Sequence, residues 1–295
     1  MIPRPIDAQR PYRSVLYIPG SRERALEKAQ TLAADAIIFD LEDAVAPEEK
    51  PKARALVAAS LTRLDYGRRA RIVRINGLET GWGADDCHAF AGVPLDALLI
   101  PKVSGPADIE AVARLVPDVA LWAMLETALG ALNAAAIASH PSVAGFVVGT
   151  NDLALDIGAR YRPDRLPLLT ALQLCLLAGK AYGRTVIDGV YNAYLDDEGL
   201  RRECDQGRDL GFDGKTLIHP AQIATANAVF SASDAEISLA RRHIAGYRAA
   251  EQAGQGVAVV DGRIVEKLHV VAAERLLGRV TAIAELGQQG QSTAT

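Results

Sequence analysis

The stretch Ala36-Ile37-Ile38-Phe39-Asp40-Leu41-Glu42-Asp43 sets the reading of the whole chain. Four apolar residues in an unbroken run have the pattern of a strand buried on both faces, as strands of a parallel sheet are. Three carboxylates follow at once, so an acidic loop begins where the strand stops. The same construction recurs on either side. Short apolar runs at Val15–Ile18, Arg71–Ile75, Ala97–Ile100, Ala120–Leu125, Gly145–Val148, Thr185–Ile187 and Gly214–Leu217 read as further strands. Between them, Arg22–Ala33, Glu48–Leu64, Pro106–Leu115, Thr127–Ala138, Leu166–Tyr182, Asp197–Leu210 and Pro220–Val229 read as helices. Eight β–α units in roughly 220 residues predict an α/β fold closed into a (β/α)8 TIM barrel. An open doubly wound sheet would call for Gly-x-Gly-x-x-Gly after its first strand, and Gly20-Ser21-Arg22 does not supply it.

After Phe230 the pattern changes. Ser233–Ala250 reads as a long helix, Gly254–Val265 as a hairpin around Asp261-Gly262, and Glu266–Leu286 as a second helix. The expected organisation is a catalytic barrel over residues 1–230 and a C-terminal helical lid and oligomerisation arm over 231–295.

Composition narrows the class. At 49 % apolar and 23 % charged residues the chain has the make-up of a globular enzyme. The net charge of −4 comes without a basic block, which argues against nucleic acid as a partner. Cys87, Cys175 and Cys204 lack metal-ligand spacing and read as reduced thiols of a cytoplasmic protein. Met1–Arg13 has no apolar core of the secretory kind. Val119–Ala138, the most apolar long stretch, is interrupted by Glu126 and Asn133 and reads as a strand plus a helix rather than a membrane span.

Polar residues fall at the ends of the strands: Asp40, Arg74, Lys102, Glu126, Asp152, Asp188 and His219. In a barrel these ends share the face that carries the active site. Carboxylates gathered without cysteine, and with few histidines, favour a hard cation, Mg²⁺ with Mn²⁺ as the alternative. A metal-free Schiff-base aldolase centred on Lys102 is the competing chemistry.

Seven short motifs then follow in order: Leu41-Glu42-Asp43-Ala44-Val45, Arg74-Ile75-Asn76, Pro101-Lys102, Glu126-Thr127, Gly149-Thr150-Asn151-Asp152-Leu153-Ala154, Gly211-Phe212-Asp213-Gly214-Lys215 and Ile218-His219-Pro220. The set resembles the citrate lyase β-subunit-like family of the HpcH/HpaI aldolase superfamily, nearest to its malyl-CoA thioesterase and malyl-CoA lyase branch, from about Tyr12 to about Leu277. The resemblance implies a Mg²⁺-dependent barrel in which Glu126 and Asp152 ligate the metal. By the same resemblance, Arg74 grips a substrate oxygen, and Glu42 and Asp43 hold metal-bound waters. Arg22 and Lys28, at the start of the first helix, would meet the phosphates of an acyl-CoA substrate. It also implies a homo-oligomer, trimer or hexamer, in which the C-terminal segment of one subunit covers the site of its neighbour. That segment commonly brings an aspartate followed by proline. Here Val265-Glu266-Lys267 stands in the matching place.

The longer carboxylate of Glu266 favours hydrolysis of (S)-malyl-CoA to malate and coenzyme A, with Glu266 as base or nucleophile. The alternatives are a lyase cleaving malyl-CoA, β-methylmalyl-CoA or citramalyl-CoA to an acyl-CoA and glyoxylate or pyruvate, and a subunit of a citrate lyase complex that is inactive alone.

Overall fold

The computed structural model describes residues 10–292, and side chains up to residue 286. Most of the N-terminal segment read above lies outside them. Eight strands, β1 (Ser14–Pro19), β2 (Ala36–Asp40), β3 (Ala70–Arg74), β4 (Ala97–Ile100), β5 (Leu121–Leu125), β6 (Val143–Val148), β7 (Thr185–Asp188) and β8 (Gly214–Leu217), form a closed barrel in chain order. Every neighbouring pair is parallel, and β8 closes on β1 with Ser14 opposite Lys215. This is the TIM barrel that the alternation predicts.

Side chains alternate along a strand, so each strand feeds two layers. One parity gives Val15, Ala36, Ile38, Ala70, Ile72, Ala97, Leu99, Trp122, Met124, Val147 and Ile187, which pack with Tyr12 as a single cluster inside the barrel. The other parity gives Leu16, Ile37, Phe39, Val73, Leu98, Leu121, Phe146, Val186 and Leu217. These join helix residues such as Leu26, Val57, Val112 and Leu172 in a larger outer layer. The inner layer is small at Ala36, Ala70 and Ala97 and is filled from across by Trp122, whose ring lies 5.2 Å from that of Tyr12. Gly145 makes room for it: a Cβ there would sit 2.7 Å from the indole.

The helices depart from expectation in detail. Pro106–Leu115 and Asp197–Leu210 fall where read. The stretch read as one helix over Thr127–Ala138 is two, Ala128–Leu132 and Ala134–Ser139, broken at Asn133. The Asn133 amide turns aside to donate to the Ser104 carbonyl at 2.8 Å. Two helices, Gly83–Phe90 and Thr150–Asp156, are additional. The first is masked in the sequence by its opening glycine. A side chain at Gly83 would strike the Gly77 carbonyl, with a Cβ only 2.4 Å away.

From Ser231 the chain forms a second compact unit. Within it, helix Asp234–Gln252 starts at a capping box between Ser233 and Glu236. A hairpin of β9 (Ala258–Val260) and β10 (Arg263–Val265) follows, then helix Lys267–Ser292. Asp261 and Gly262 both have positive φ, 50° and 74°, as a two-residue hairpin turn requires. Arg242 ties that turn to the preceding helix through Asp261 at 2.8 Å. Among the described residues no helix is long and apolar enough to cross a membrane.

Because Gly145 admits the Trp122 ring, Gly145→Ala is expected to overpack the barrel interior and to lower stability by about 1–3 kcal/mol. Urea unfolding followed by far-UV circular dichroism measures it; an unchanged midpoint would contradict the packing described.

Candidate active site

The inward parity does not stop with the apolar layer. One step above Val15 comes Tyr17, above Ile38 comes Asp40, above Ile72 comes Arg74, and above Met124 comes Glu126. Asp40 and Arg74 are register partners on β2 and β3. Their side chains make a two-pronged ion pair, Arg74 Nε to Asp40 Oδ1 at 2.7 Å and Nη2 to Oδ2 at 2.6 Å. Burial disfavours the charge on Arg74, but Asp40 outweighs it and raises the pKa well above the ordinary arginine value. The guanidinium is permanently charged.

Asp40 also accepts the backbone N–H groups of Glu42 and Ala44. The acidic loop is thereby folded back over the arginine. Glu42 Oε2 lies 2.8 Å and Asp43 Oδ2 3.3 Å from Arg74 Nη1. Lys50 holds the loop from the other side, donating to the Leu41 and Glu42 carbonyls and to Asn76. Asn76 is itself fixed by Asp86, which Arg54 binds at 2.6 Å.

Glu42 also pairs with the Lys102 ammonium. Burial works against the Lys102 charge, yet this pairing prevails and raises its pKa. A Schiff-base lysine must shed its proton, so the geometry disfavours the aldolase chemistry that the sequence left open. Lys102 instead takes a left-handed backbone conformation, φ 51°, and donates its N–H to Glu126 Oε1 at 2.7 Å.

Glu126 is the most perturbed carboxylate of the group. It is 1 % exposed, and its Oε2 is buried without a hydrogen-bond partner. Burial raises its pKa to about 8. The Lys102 N–H works against the rise, and the neighbouring charges of Glu42 and Asp152 add to it. Gly149, at the end of β6, lies against this carboxylate; a Cβ there would be 2.4 Å from Oε2. Asp152 stands in the first turn of helix Thr150–Asp156. A buried, partnerless carboxylate oxygen beside a second carboxylate fits a hard divalent cation, which needs only one or two protein oxygens. Among the described residues no three His, Cys, Asp or Glu side chains gather as a protein-only cage.

A cavity of about 300 Å³ opens over this cluster, lined by Tyr17, Asp40, Asp43, Arg74, Met124, Gly149, Asn151, Asp152, Asn192 and Thr216 among others. The structure thus brings together Arg74, Glu42, Asp43, Glu126 and Asp152. Arg22 and Lys28 are exposed on and beside the short helix Glu23–Ala29 and do not line the cavity. Glu266, in the second unit, is exposed at the start of helix Lys267–Ser292, where its N–H donates to His269 Nδ1 at 3.0 Å.

Asp188 does not belong to the cluster that the strand ends predict. Its neighbour Ile187 takes the inward place, so Asp188 points to the outer layer. There it meets Arg165 at 2.7 Å and Lys215 at 3.2 Å, and Lys215 also binds Glu203 at 2.7 Å. Arg165 is the buried member of an otherwise exposed loop. His219 caps the turn that follows β8 and lies over Tyr194, 4.7 Å between ring centres. Asp40 is the residue of consequence to which the sequence reading gave no role. Its signal was its place one strand over and level with Arg74.

A parallel (β/α)8 barrel with charged side chains massed at the C-terminal ends of its strands is the construction of a barrel enzyme. The chain belongs to the HpcH/HpaI aldolase/citrate lyase family, whose pattern matches residues 13–220. It is 66 % identical over 274 residues to a (3S)-malyl-CoA thioesterase of Cereibacter sphaeroides, covering 93 % of this chain and 96 % of that one. It is 34 % identical to an L-malyl-CoA/beta-methylmalyl-CoA lyase of the same species, covering 95 % and 98 %. Among solved structures it resembles the CitE protein of Mycobacterium tuberculosis in complex with magnesium, acetoacetate and coenzyme A. That match has a TM-score of 0.78 at 33 % identity, over 92 % of this chain and 98 % of the other. The family read from the seven motifs is therefore the right one.

The outer ion network gives a prediction independent of activity. Lys215→Met leaves Asp188 and Glu203 buried with Arg165 as their remaining cation. Removing one partner from such a group costs about 3–5 kcal/mol. Equilibrium denaturation should show that loss, and a change below about 1 kcal/mol would mean that the charges are not desolvated as described.

Proposed function

We propose that the chain hydrolyses (3S)-malyl-CoA to malate and coenzyme A. One observation carries the reading: 66 % identity through nearly the full length to a thioesterase acting on that compound, against 34 % to a lyase. The site geometry supports it. Glu126 and Asp152 hold Mg²⁺, with Mn²⁺ able to replace it, and Glu42 and Asp43 hold water around it. Bound there, the ion supplies Lewis-acid polarisation of substrate oxygens. Arg74, fixed by Asp40 and unable to lose its proton, binds the substrate oxygen on which charge develops. Arg22 and Lys28 bind the phosphates of the coenzyme.

Glu266 supplies the base or nucleophile at the site of a neighbouring subunit in a homo-oligomer, trimer or hexamer, the second unit serving as lid and oligomer arm. Two features support this role: its exposure just beyond the hairpin, and a carboxylate one methylene longer than the aspartate common in that place.

Purified chain, (3S)-malyl-CoA and Mg²⁺ should yield free thiol without glyoxylate, and EDTA should abolish the signal. Glyoxylate without free thiol would replace the reading with C–C cleavage. Glu126→Gln and Glu266→Ala should each lower kcat on the order of 10²-fold or more. Mixed and reassembled, the two inactive variants should recover part of the activity, since some sites would then combine an intact metal carboxylate with an intact lid. No recovery would place Glu266 within its own subunit's site or outside catalysis.

A further inference from the structure

Two hydrogen-bond donors on the cavity wall converge on one poor acceptor. Tyr17 Oη lies 3.9 Å from Met124 Sδ, and Arg74 Nη1 lies 3.8 Å from the same sulfur. All three residues line the cavity. The Tyr17 ring also lies under Arg74, with Cζ 5.0 Å from its centre. A thioether is a weak acceptor, so the Tyr17 hydroxyl is poorly satisfied there, while Arg74 Nη1 also pairs with Glu42 Oε2 at 2.8 Å and Asp43 Oδ2 at 3.3 Å. The other contacts of Arg74 go to carboxylates, whereas among the described residues the Tyr17 hydroxyl has no second hydrogen-bond partner. Its phenol is raised further above its ordinary pKa by burial, with Arg74 opposing, and it stays a donor at neutral pH.

From this convergence we infer that Tyr17 is a further catalytic residue: its hydroxyl, with Arg74 Nη1, forms a two-donor pocket for the thioester carbonyl oxygen. The inference rests on the thioesterase reading for its substrate. In the reaction, water oxygen bonds to the thioester carbon and the carbonyl electron pair moves onto oxygen. The pair returns as the C–S bond breaks. One proton of the water ends on the departing sulfur and the other goes to solvent, leaving malate carboxylate. Tyr17 keeps its proton throughout. Its hydrogen bond strengthens while the oxygen carries charge and relaxes afterward. Such an interaction lowers the barrier more than it aids binding.

Tyr17→Phe tests this, because it keeps the ring against Arg74 and removes only the hydroxyl. With (3S)-malyl-CoA and Mg²⁺, kcat is expected to fall about 10²-fold with KM little changed. A second readout does not need turnover. Acetoacetyl-CoA bound in the site should form more of its enolate, seen by near-ultraviolet absorbance, with the parent chain than with Tyr17→Phe. The enolate places negative charge on the same thioester oxygen. Parent chain inactive on (3S)-malyl-CoA but showing the enolate difference would overturn the thioesterase reading and keep the Tyr17 assignment. Unchanged kcat in Tyr17→Phe, or equal enolate in the two proteins, would overturn the assignment. A KM effect alone would make Tyr17 a binding residue and overturn it as well.

Discussion

A strand in a closed barrel has only two directions for its side chains, and they alternate along its length. That constraint sorts the residues of this chain's eight strands, apart from the register shift between β5 and β6 at Leu121 and Trp122. Residues of one parity fill the barrel, and those of the other carry the packing against the helices. It also decides which charged strand ends meet. Asp40, Arg74 and Glu126 continue the inward series past its last apolar layer, whereas Asp188 and Lys215 continue the outward one. A displacement of one residue in β2, β3 or β5 would turn Asp40, Arg74 or Glu126 out of the active cluster, and one in β7 or β8 would turn Asp188 or Lys215 out of the outer ion network.

Within the inward set, charge is arranged by hydrogen bonding rather than by mere proximity. Asp40 neutralises Arg74 and at the same time holds the backbone of the acidic loop, so a single carboxylate fixes both a cation and the anions around it. Lys102 works similarly at two levels, its ammonium on Glu42 and its backbone N–H on Glu126. The balance is uneven. Arg74 and Lys102 have their charges confirmed by their partners, while Glu126 is left with one unpaired buried oxygen and a raised pKa. Charge that the protein leaves uncompensated in this way is where a cation has most to contribute.

Much of this is legible in the sequence. The eight strands fall within a residue or two of their apolar runs, because a fully buried strand has few alternatives to an unbroken apolar sequence. The hairpin turn was equally plain, since Asp261-Gly262 is one of few pairs that accept two positive φ angles. Less legible were helices whose starts depend on close approach, as at Gly83, and the break at Asn133, which a distant carbonyl pays for. In the site, strand-end position singled out Arg74 and Glu126 but included Asp188 wrongly. Position along the chain says where a strand ends; only its parity says which way the last side chain points. Tyr17 escaped notice for the opposite reason: within Val15–Ile18 an aromatic residue reads as core, and its hydroxyl matters only because of what stands across the barrel on β5.

The outer network bears on how such a protein can change over time. Loops after barrel strands are the parts of this architecture most easily altered. Here the loop after helix Thr150–Asp156 is tied down by Arg165, whose charge is answered by Asp188 at the end of β7 and by Glu203 in a helix. Lys215 on β8 completes the balance. Any one of the four replaced by a neutral residue strands a charge out of water. The loop is therefore not a free module. Its descendants can inherit a new shape only if four positions, spread over some fifty residues, are inherited or exchanged as a set.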